Sequence, residues 1–257
     1  MIWWLVLQSL SSALRVVFRL LHRRSYSVLL AATDPGLGSK NRIDHVVRGL
    51  FITLEGGEGS GKSTQARRLH ATLEALGHEV TVTREPGGSP GAEAIRTLLV
   101  TGDVDRWDGM TEALLLFAAR RDHVERTIKP ALDSGHIVVC DRFIDSTMAY
   151  QGYGHDLGRE TVEQLSGMVL GEFKPDLTLI LDLPVEDGLK RAVSRGGDEQ
   201  RYEDMDVAFH HRLRDGFLDI AKREPARCRV IDSSGSEEDV AVRLKAAVLP
   251  VLGSTHG

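Results

Sequence analysis

The sequence predicts an α/β fold built on a five-stranded parallel sheet with helices on both faces. Three observations lead to this prediction. From residue 50 onward, short runs rich in β-branched residues alternate with longer segments of helical periodicity. A glycine-rich turn separates the first run from the first helical segment. The third run, residues 136–140, is apolar enough for a central strand of a parallel sheet. Because crossover connections are right-handed, such a sheet is doubly wound.

The first strand, residues 51–55, leads directly into GGEGSGKS at positions 56–63. This is the spacing of a P-loop, in which glycines allow backbone N–H groups to face phosphate oxygens. We expect Lys62 to bind the β- and γ-phosphates of a nucleotide and Ser63 to hold Mg²⁺. The strand before the turn and the helix after it argue against the alternative, a glycine-rich surface turn. The predicted nucleotide-binding residues are Gly56, Gly57, Glu58, Gly59, Ser60, Gly61, Lys62, Ser63 and Thr64.

The second strand, residues 79–83, ends in a turn with the sequence REPGG, where glycine again allows close approach of a ligand. The short helix that follows carries Arg96 beside an apolar face. The next helix is predicted to run from an N-cap at Thr111 to about residue 134, with a kink at Pro130.

The first half of that long helix is apolar on nearly all sides, which predicts that it is buried. Arg120 and Arg121 follow immediately within it. Two adjacent cations in a buried helix need partners. Those partners are either a bound ligand or neighbouring carboxylates such as Asp122 and Glu125.

The third strand ends in Asp141 and Arg142. Ligands of open α/β sheets bind at the carboxyl edge, so Asp141 is a candidate to orient Mg²⁺ and Arg142 a candidate to bind phosphate. An ion pair within the loop is the alternative. Residues 146–154 then offer amide, hydroxyl and aromatic groups, which suit a pocket for a base or a sugar.

The remaining elements continue the alternation. A helix at about 158–170 precedes a fourth strand at 176–182, and a helix at about 203–223 precedes a fifth strand at 229–232. A capping-box-like start at Ser236 opens the last helix.

Between the fourth strand and the helix at 203–223 lies a polar segment with a Gly-Gly pair. Arg191, Arg195 and Arg201 surround it, and we expect a mobile lid at about 191–203. A solvated loop without a catalytic role is the alternative.

The net charge of −5 is unevenly distributed. Residues 1–48 carry seven basic and two acidic residues, so the rest of the chain carries 25 basic and 35 acidic residues. An acidic body is no platform for nucleic acid, and an anionic ligand must be held by a local group of arginines. Cys140 and Cys228 lie in apolar runs, which favours buried free thiols in a reducing, cytoplasmic compartment.

Residues 1–48 form a separate region whose apolar start is followed by arginines. The apolar run is too short to span a membrane, and its charges follow it, unlike those of a signal peptide. Membrane contact by residues 1–24 and organelle targeting are alternatives. We expect instead a poorly ordered or non-native extension, with the main domain at residues 49–257.

A P-loop alone predicts nucleotide binding. A small-molecule kinase needs in addition a second anion site that faces the first. Arg96, Arg142 and the pair at 120–121 are candidates for that site.

Residues 51–252 resemble the bacterial thymidylate kinases. The matching segments are LEGGEGSGKSTQ, TREPGG, FAARR, IKPAL, DRF, STMAYQG, KPDLTLILD and the lid. The resemblance implies a P-loop nucleoside monophosphate kinase fold. It also implies that a homodimer uses ATP and Mg²⁺ to phosphorylate dTMP to dTDP on the route to dTTP.

The resemblance also implies roles for individual residues in dTMP binding. Arg96 and Arg142 hold the dTMP phosphate, and Phe117 or its neighbour stacks on thymine. Arg120 donates to thymine O4, with Arg121 as the alternative. The full set of dTMP-binding residues implied is Glu58, Arg96, Phe117, Arg120, Arg121, Arg142, Tyr150 and Gln151.

Gln151 then bonds the edge of the base, and Glu58 lies near the sugar 3′-hydroxyl. The family supplies its catalytic arginine either from the P-loop or from the lid. This P-loop contains no arginine, so the chain resembles the lid-arginine type, with Arg195 and Arg201 as candidates. The catalytic residues implied are Lys62, Arg142, Arg195 and Arg201, and the Mg²⁺ residues are Ser63 and Asp141.

Three alternatives stay open at this point. They are a kinase for a different nucleoside monophosphate, a P-loop nucleotide-binding protein without transferase activity, and a kinase anchored to a membrane by its N-terminal segment.

Overall fold

The computed structural model describes residues 48–103, 105–195, 200–203 and 205–254. The predicted N-terminal extension lies outside these residues, apart from Arg48. The centre of the predicted lid, residues 196–199, lies outside them as well.

The described residues form a parallel sheet of five strands in the order β2-β3-β1-β4-β5, so the predicted fold is confirmed. The strands are β1 (Phe51–Glu55), β2 (Val80–Arg84), β3 (Ile137–Asp141), β4 (Leu177–Asp182) and β5 (Cys228–Asp232). The first strand in the sequence, β1, lies at the centre of the sheet between β3 and β4. The carboxyl ends of β1 and β3 therefore lie side by side, and both lead into predicted site residues.

Helices cover both faces of the sheet. They are α1 (Lys62–Ala75), α2 (Pro90–Val100), α3 (Gly109–His123), α4 (Lys129–Asp133), α5 (Ile144–Thr147), α6 (Arg159–Leu170), α7 (Val185–Arg195), α8 (Gln200–Glu203), α9 (Val207–Arg223) and α10 (Glu237–Ser254). Two π-helical segments, Val124–Ile128 and Met148–Gly154, continue α3 and α5.

The side chains of β1 alternate between two hydrophobic cores, as the pleat of a strand requires. Ile52 and Leu54 pack with α1 and α10. Phe51 packs with α3, α6 and α9 on the other face. Thr53 and Glu55 share the face of Phe51, and both are fully buried. A buried glutamate at the end of the central strand therefore needs polar partners on that face.

The predicted helix from Thr111 to residue 134 differs from the observed one. Asp108 is the N-cap, because its carboxylate accepts hydrogen bonds from the backbone N–H groups of Met110 and Thr111. A carboxylate in this position satisfies donors that the first turn leaves unpaired. The α-helix is then interrupted by the π-helical segment Val124–Ile128, which comes before Pro130.

Among the described residues, no helix combines the length and the apolar character needed to cross a bilayer.

Candidate active site

The phosphate loop, residues 56–63, joins β1 to α1 and is folded tightly against the neighbouring backbone. Gly59 has a φ of 66°, and a Cβ atom there would lie 2.0 Å from the carbonyl oxygen of Gly188. Only glycine fits such a position. Lys62 is the first residue of α1, and its Nζ donates to the carbonyl oxygen of Gly57 at 2.8 Å. The loop therefore presents backbone amides, a lysine and the positive end of a helix dipole at one place.

Two predicted Mg²⁺ residues meet beside this loop. The Ser63 hydroxyl donates to Oδ2 of Asp141 at 2.5 Å, although 78 residues separate them in the chain. Ser63 lies in the first turn of α1, and Asp141 is the last residue of β3. A hydroxyl and a carboxylate are the hard oxygen donors that Mg²⁺ prefers when phosphates complete its coordination, so these residues fit that ion.

Glu58, inside the phosphate loop, is buried and surrounded by donors. Its Oε1 accepts from Nη2 of Arg142 at 2.9 Å and from the Tyr150 hydroxyl at 2.5 Å. Burial alone would raise the pKa of Glu58. The positive charges of Arg142 and Lys62 and the Tyr150 hydrogen bond outweigh burial and lower that pKa to about 2. Glu58 is therefore ionised at neutral pH.

Arg142 connects the end of β3 to the phosphate loop. Its Nη1 lies 3.3 Å from the carbonyl oxygen of Gly56, and its guanidinium lies 4.9 Å from the centre of the Tyr150 ring. The backbone of Arg142 is left-handed, with a φ of 68°. For a residue with a side chain this conformation costs about 1–3 kcal/mol, and it tends to occur where a functional group must be aimed.

A polar cleft opens between the phosphate loop and the β2–α2 connection. Arg96 lines it together with Lys62 and Arg142, so these three cations face one space. The Nη1 of Arg96 donates to the carbonyl oxygen of Pro86 at 2.8 Å, which fixes it against the β2–α2 connection. The full lining is Glu58, Gly59, Gly61, Lys62, Ser63, Arg84, Glu85, Arg96, Asp141 and Arg142.

An inner cavity lies next to the polar cleft. Glu85 and Arg142 line both spaces and therefore mark their boundary. The other residues that line the inner cavity are Pro86, Val100, Leu116, Arg120, Phe143, Ser146, Thr147, Tyr150, Gln151 and Tyr202. This set is mostly apolar and aromatic with a few polar groups, as in pockets that take a planar ligand.

Arg120 is the buried cation of the inner cavity, with 2% of its side chain exposed. Its Nε donates to Glu85 at 2.6 Å, and its Nη2 donates to Thr147 Oγ1 at 2.9 Å. Its Nη1 is buried without a hydrogen-bond partner among the described residues. Because such a donor is costly to leave unpaired, it is available for an acceptor on a ligand.

Glu85 in turn is held by His123. The His123 side chain is fully buried, with Nδ1 3.0 Å from Glu85 Oε1 and Nε2 2.7 Å from Thr83 Oγ1. Glu85 and His123 are site residues that the sequence patterns did not predict. Glu85 lies in the quoted REPGG turn, whereas no local signal identifies His123.

Arg121 and Phe117 differ from Arg120 in where they point. Arg121 is half exposed and pairs with Glu125 at 3.1 Å, so it is not in the inner cavity. Phe117 is 1% exposed and packs in the core beneath Arg120. Its neighbour Leu116 lines the cavity instead. Successive helix residues are rotated by about 100°, so one step along α3 decides between cavity and core.

Arg201 is not free to act as a lid arginine in this structure. It is 1% exposed, and its Nη1 donates to Glu112 at 2.5 Å and to the Leu99 carbonyl oxygen at 3.2 Å. Glu112 also accepts from Gln151 at 2.5 Å, which leaves Gln151 on the cavity wall. In this structure Arg201 therefore does not line the polar cleft, and its catalytic role stays a prediction. Arg195 ends α7, and its side chain lies outside the described part of the chain.

Thr64 and Ser60 complete the predicted phosphate loop set. Ser60 is buried, and its hydroxyl donates to the Gly57 carbonyl oxygen at 2.8 Å. Thr64 accepts a long hydrogen bond from Arg67 on the surface of α1.

Comparisons with known proteins show which family this chain resembles. The family model described as thymidylate kinase matches residues 54–243. The thymidylate kinase of Caulobacter vibrioides is 57% identical over 208 residues, which cover 81% of this chain and 100% of that protein. The thymidylate kinase of Ruegeria pomeroyi is 53% identical over 208 residues, 81% of this chain and 98% of that protein. A crystal structure of thymidylate kinase from Ehrlichia chaffeensis is 37% identical, with a TM-score of 0.64 over 78% of this chain and 99% of that one.

Proposed function

The chain belongs to the thymidylate kinase family, and from this premise we propose how its site performs the reaction of that family. The protein is a kinase that phosphorylates dTMP to dTDP with ATP, a step in dTTP biosynthesis. The ATP phosphates bind the phosphate loop and the dTMP phosphate enters the polar cleft. The thymine base occupies the inner cavity.

One observation carries this proposal. Lys62 of the phosphate loop and the arginines 96 and 142 line the same polar cleft, which adjoins the inner cavity. Phosphoryl transfer requires in-line placement of donor and acceptor and cations on the charge of the moving group. If the ATP phosphates and the dTMP phosphate meet in this cleft, donor and acceptor lie together and the three cations face the moving group.

We propose that Ser63 and Asp141 hold Mg²⁺ when ATP is bound. Their 2.5 Å contact supports this, because the ion would replace a hydrogen bond between two oxygen donors that already lie together. A Mg²⁺ ion held by these residues would supply positive charge to the ATP phosphates. Lys62 is placed to add a second positive charge on the same side.

We propose that base choice depends on Arg120. An arginine donor suits the O4 acceptor of thymine, whereas cytosine presents an N4–H₂ donor at that position and leaves the guanidinium unpaired. A mismatch of that kind costs about 1–3 kcal/mol. The buried, unpartnered Nη1 of Arg120 supports this role. Gln151 lines the same cavity and is the second candidate for the base edge.

The sugar is proposed to lie between the two spaces. Glu58 is ionised and near the Tyr150 hydroxyl, so its carboxylate is a ready acceptor for the deoxyribose 3′-hydroxyl. Arg195 is, with Arg201, a predicted lid arginine. We expect Arg195→Ala to lower kcat at least about tenfold with little change in dTMP affinity, because a contact made only in the transition state affects turnover. Unchanged turnover would remove Arg195 from the mechanism.

We also propose that the chain acts as a homodimer. Leu98, Met110, Leu114 and Met168 are large apolar side chains with substantial exposure. They lie on α2, α3 and α6, which pack in succession. An exposed apolar face of this kind favours association with a second copy. Sedimentation should give a dimer, and Leu114→Glu should shift it to monomer.

Two further proposals concern organisation and location. Residues 49–257 are proposed as the catalytic domain, since relatives of about this length align over nearly all of their own sequence. A cytoplasmic location is proposed because Cys140 and Cys228 are buried free thiols.

The direct test is ATP-dependent formation of dTDP by the full-length protein. We expect dTMP to be converted with higher kcat/KM than dUMP, dCMP or AMP. A preference for one of the other monophosphates would replace dTMP as the substrate, and absence of any product would reject a kinase.

A further inference from the structure

Glu55, the last residue of β1, is an ionisable residue that the proposed mechanism does not use. It is fully buried, and it directly precedes the phosphate loop. Its Oε1 accepts from the backbone N–H of Phe143 at 2.8 Å, and its Oε2 lies 2.5 Å from the Ser146 hydroxyl. Both oxygens therefore contact the segment that follows Arg142, from Phe143 to Ser146. The two contacts span 88 and 91 residues of sequence.

The turn that Glu55 contacts is the strained one. Arg142 has a left-handed φ of 68°, and β1 accepts hydrogen bonds from two successive backbone N–H groups at this point. Its own N–H donates to the carbonyl oxygen of Leu54 at 2.9 Å, and the next N–H, of Phe143, donates to Glu55. Ser146, the second partner of Glu55, lies 3.4 Å from Nη1 of Arg142. An unfavourable backbone conformation persists only where its surroundings fix it, and Glu55 provides that support at two points.

We propose that Glu55 is a positioning residue for Arg142. It touches no substrate, and it acts by fixing the turn that aims the Arg142 guanidinium at the polar cleft. The proposal rests on the proposed role of Arg142 in binding dTMP.

The surroundings of Glu55 indicate whether its protonated or its ionised carboxyl fixes the turn at Arg142. Burial and then the Asp145 carboxylate raise the pKa of Glu55 to about 8, against the opposing effects of Ser146 and Arg142. The titratable and charged groups that face it are Asp145 on α5, Arg142, Cys140 on β3 and Cys228 on β5, with Arg227 paired to Asp145. At neutral pH the carboxyl is therefore mostly protonated, with one donor and one acceptor. A glutamine offers the same donor and acceptor in nearly the same shape.

This yields three variants for the full-length protein. Glu55→Gln keeps both hydrogen bonds, and Glu55→Leu keeps the volume but loses them. Thr53→Val is the matched control, because Thr53 lies on the same strand and face and forms a buried hydrogen bond to Thr178 at 2.9 Å. That bond does not involve the Arg142 turn. Steady-state kinetics for dTMP and ATP and thermal unfolding are measured for each.

We expect Glu55→Leu to lower kcat/KM for dTMP by about tenfold while KM for ATP changes less than about twofold. Because Glu55 adjoins the phosphate loop, a general distortion would raise KM for ATP as much as for dTMP. Glu55→Gln should stay within about threefold of the wild type at pH 7, and Thr53→Val should lose stability without this loss in dTMP kinetics.

A double-mutant cycle with Arg142→Ala then tests the route of the effect. If Glu55 acts through Arg142, Glu55→Leu adds no further loss in the Arg142→Ala background. Fully multiplicative losses, or a Glu55→Leu enzyme with unchanged dTMP kinetics, would overturn the proposal. If Arg142→Ala itself leaves dTMP kinetics unchanged, the proposed role of Arg142 fails instead, so the two failures are distinguishable.

Discussion

Glu55 and Glu58 lie three residues apart, are both buried, and have opposite electrostatic environments. Glu55 contacts the segment that follows Arg142, where burial and Asp145 raise its pKa to about 8. Glu58 faces the polar cleft. Burial there is opposed by Arg142, Lys62 and the Tyr150 hydroxyl, and its pKa falls to about 2. One is mostly neutral at pH 7 and the other is fully ionised.

The difference teaches that burial does not decide the charge of a side chain. Burial raises the pKa of both carboxyl groups, and the neighbouring charges decide the sign of the net shift. Arg142 contacts Glu58 directly at 2.9 Å, whereas it acts on Glu55 from farther away through the turn. Glu55 therefore fixes a backbone conformation, whereas Glu58 provides a negative charge in the polar cleft.

The largest expected effect comes from Arg142→Ala, which removes one of the cations that lower the pKa of Glu58. We expect kcat/KM for dTMP to fall by about 100-fold, since the variant loses a proposed phosphate ligand and a charge on the moving group. Steady-state kinetics measure it. Arg121→Ala, a half-exposed arginine, is the control and should stay within about twofold. Equal losses in both variants would contradict the assignment.

The next effect is on how stability changes between pH 6 and pH 8. The pKa of Glu55 is raised on folding, so the folded state binds more protons than the unfolded state between about pH 4.5 and pH 8. Stability from this source falls as pH rises, by about 2 kcal/mol between pH 6 and pH 8. Glu55→Gln cannot ionise, so its unfolding free energy should fall less over this range. Parallel denaturant curves of the two proteins at each pH measure the difference, and identical slopes would exclude a titrating Glu55.

Glu58→Gln makes the second glutamate resemble the first by removing its charge. Arg142 and Lys62 then lose an anionic partner, and the proposed 3′-hydroxyl acceptor weakens. We expect kcat/KM for dTMP to fall by about tenfold. Glu125→Gln, an exposed partner of Arg121, is the control. A Glu58→Gln enzyme with normal kinetics would place the sugar elsewhere.

The smallest effect is at acid pH. The pKa of Glu58 is lowered on folding, so its contribution is present above about pH 4.5 and is lost as pH falls toward 2. Between pH 4 and pH 3 the wild type should lose about 1 kcal/mol of stability that Glu58→Gln does not lose. Acid unfolding followed by circular dichroism compares them, and curves of the same shape would argue against an ionised Glu58.

Much of the site followed from local sequence. The spacing of Gly56, Gly61, Lys62 and Ser63 predicts a phosphate loop because its geometry is local and needs glycine at fixed positions. The placement of Arg142 near that loop also followed, since the carboxyl ends of parallel strands meet at one edge.

Helix phase and long-range pairing were not predictable in the same way. In α3 the apolar residues surround the helix, so periodicity could not separate Arg120 from Arg121 or Leu116 from Phe117. Arg201 carried the sequence signal of a lid arginine, but its pairing with Glu112, 89 residues earlier, buries it.

The sequence by itself therefore determined the fold class, the phosphate loop and the edge of the sheet where the substrates meet, because these depend on local patterns and on rules of strand order. Only the tertiary structure decided which arginines line the polar cleft and the inner cavity and which of two neighbouring glutamates carries a charge. Those properties depend on partners that folding brings from distant parts of the chain, such as Glu85 for Arg120, Asp145 for Glu55 and Arg142 for Glu58.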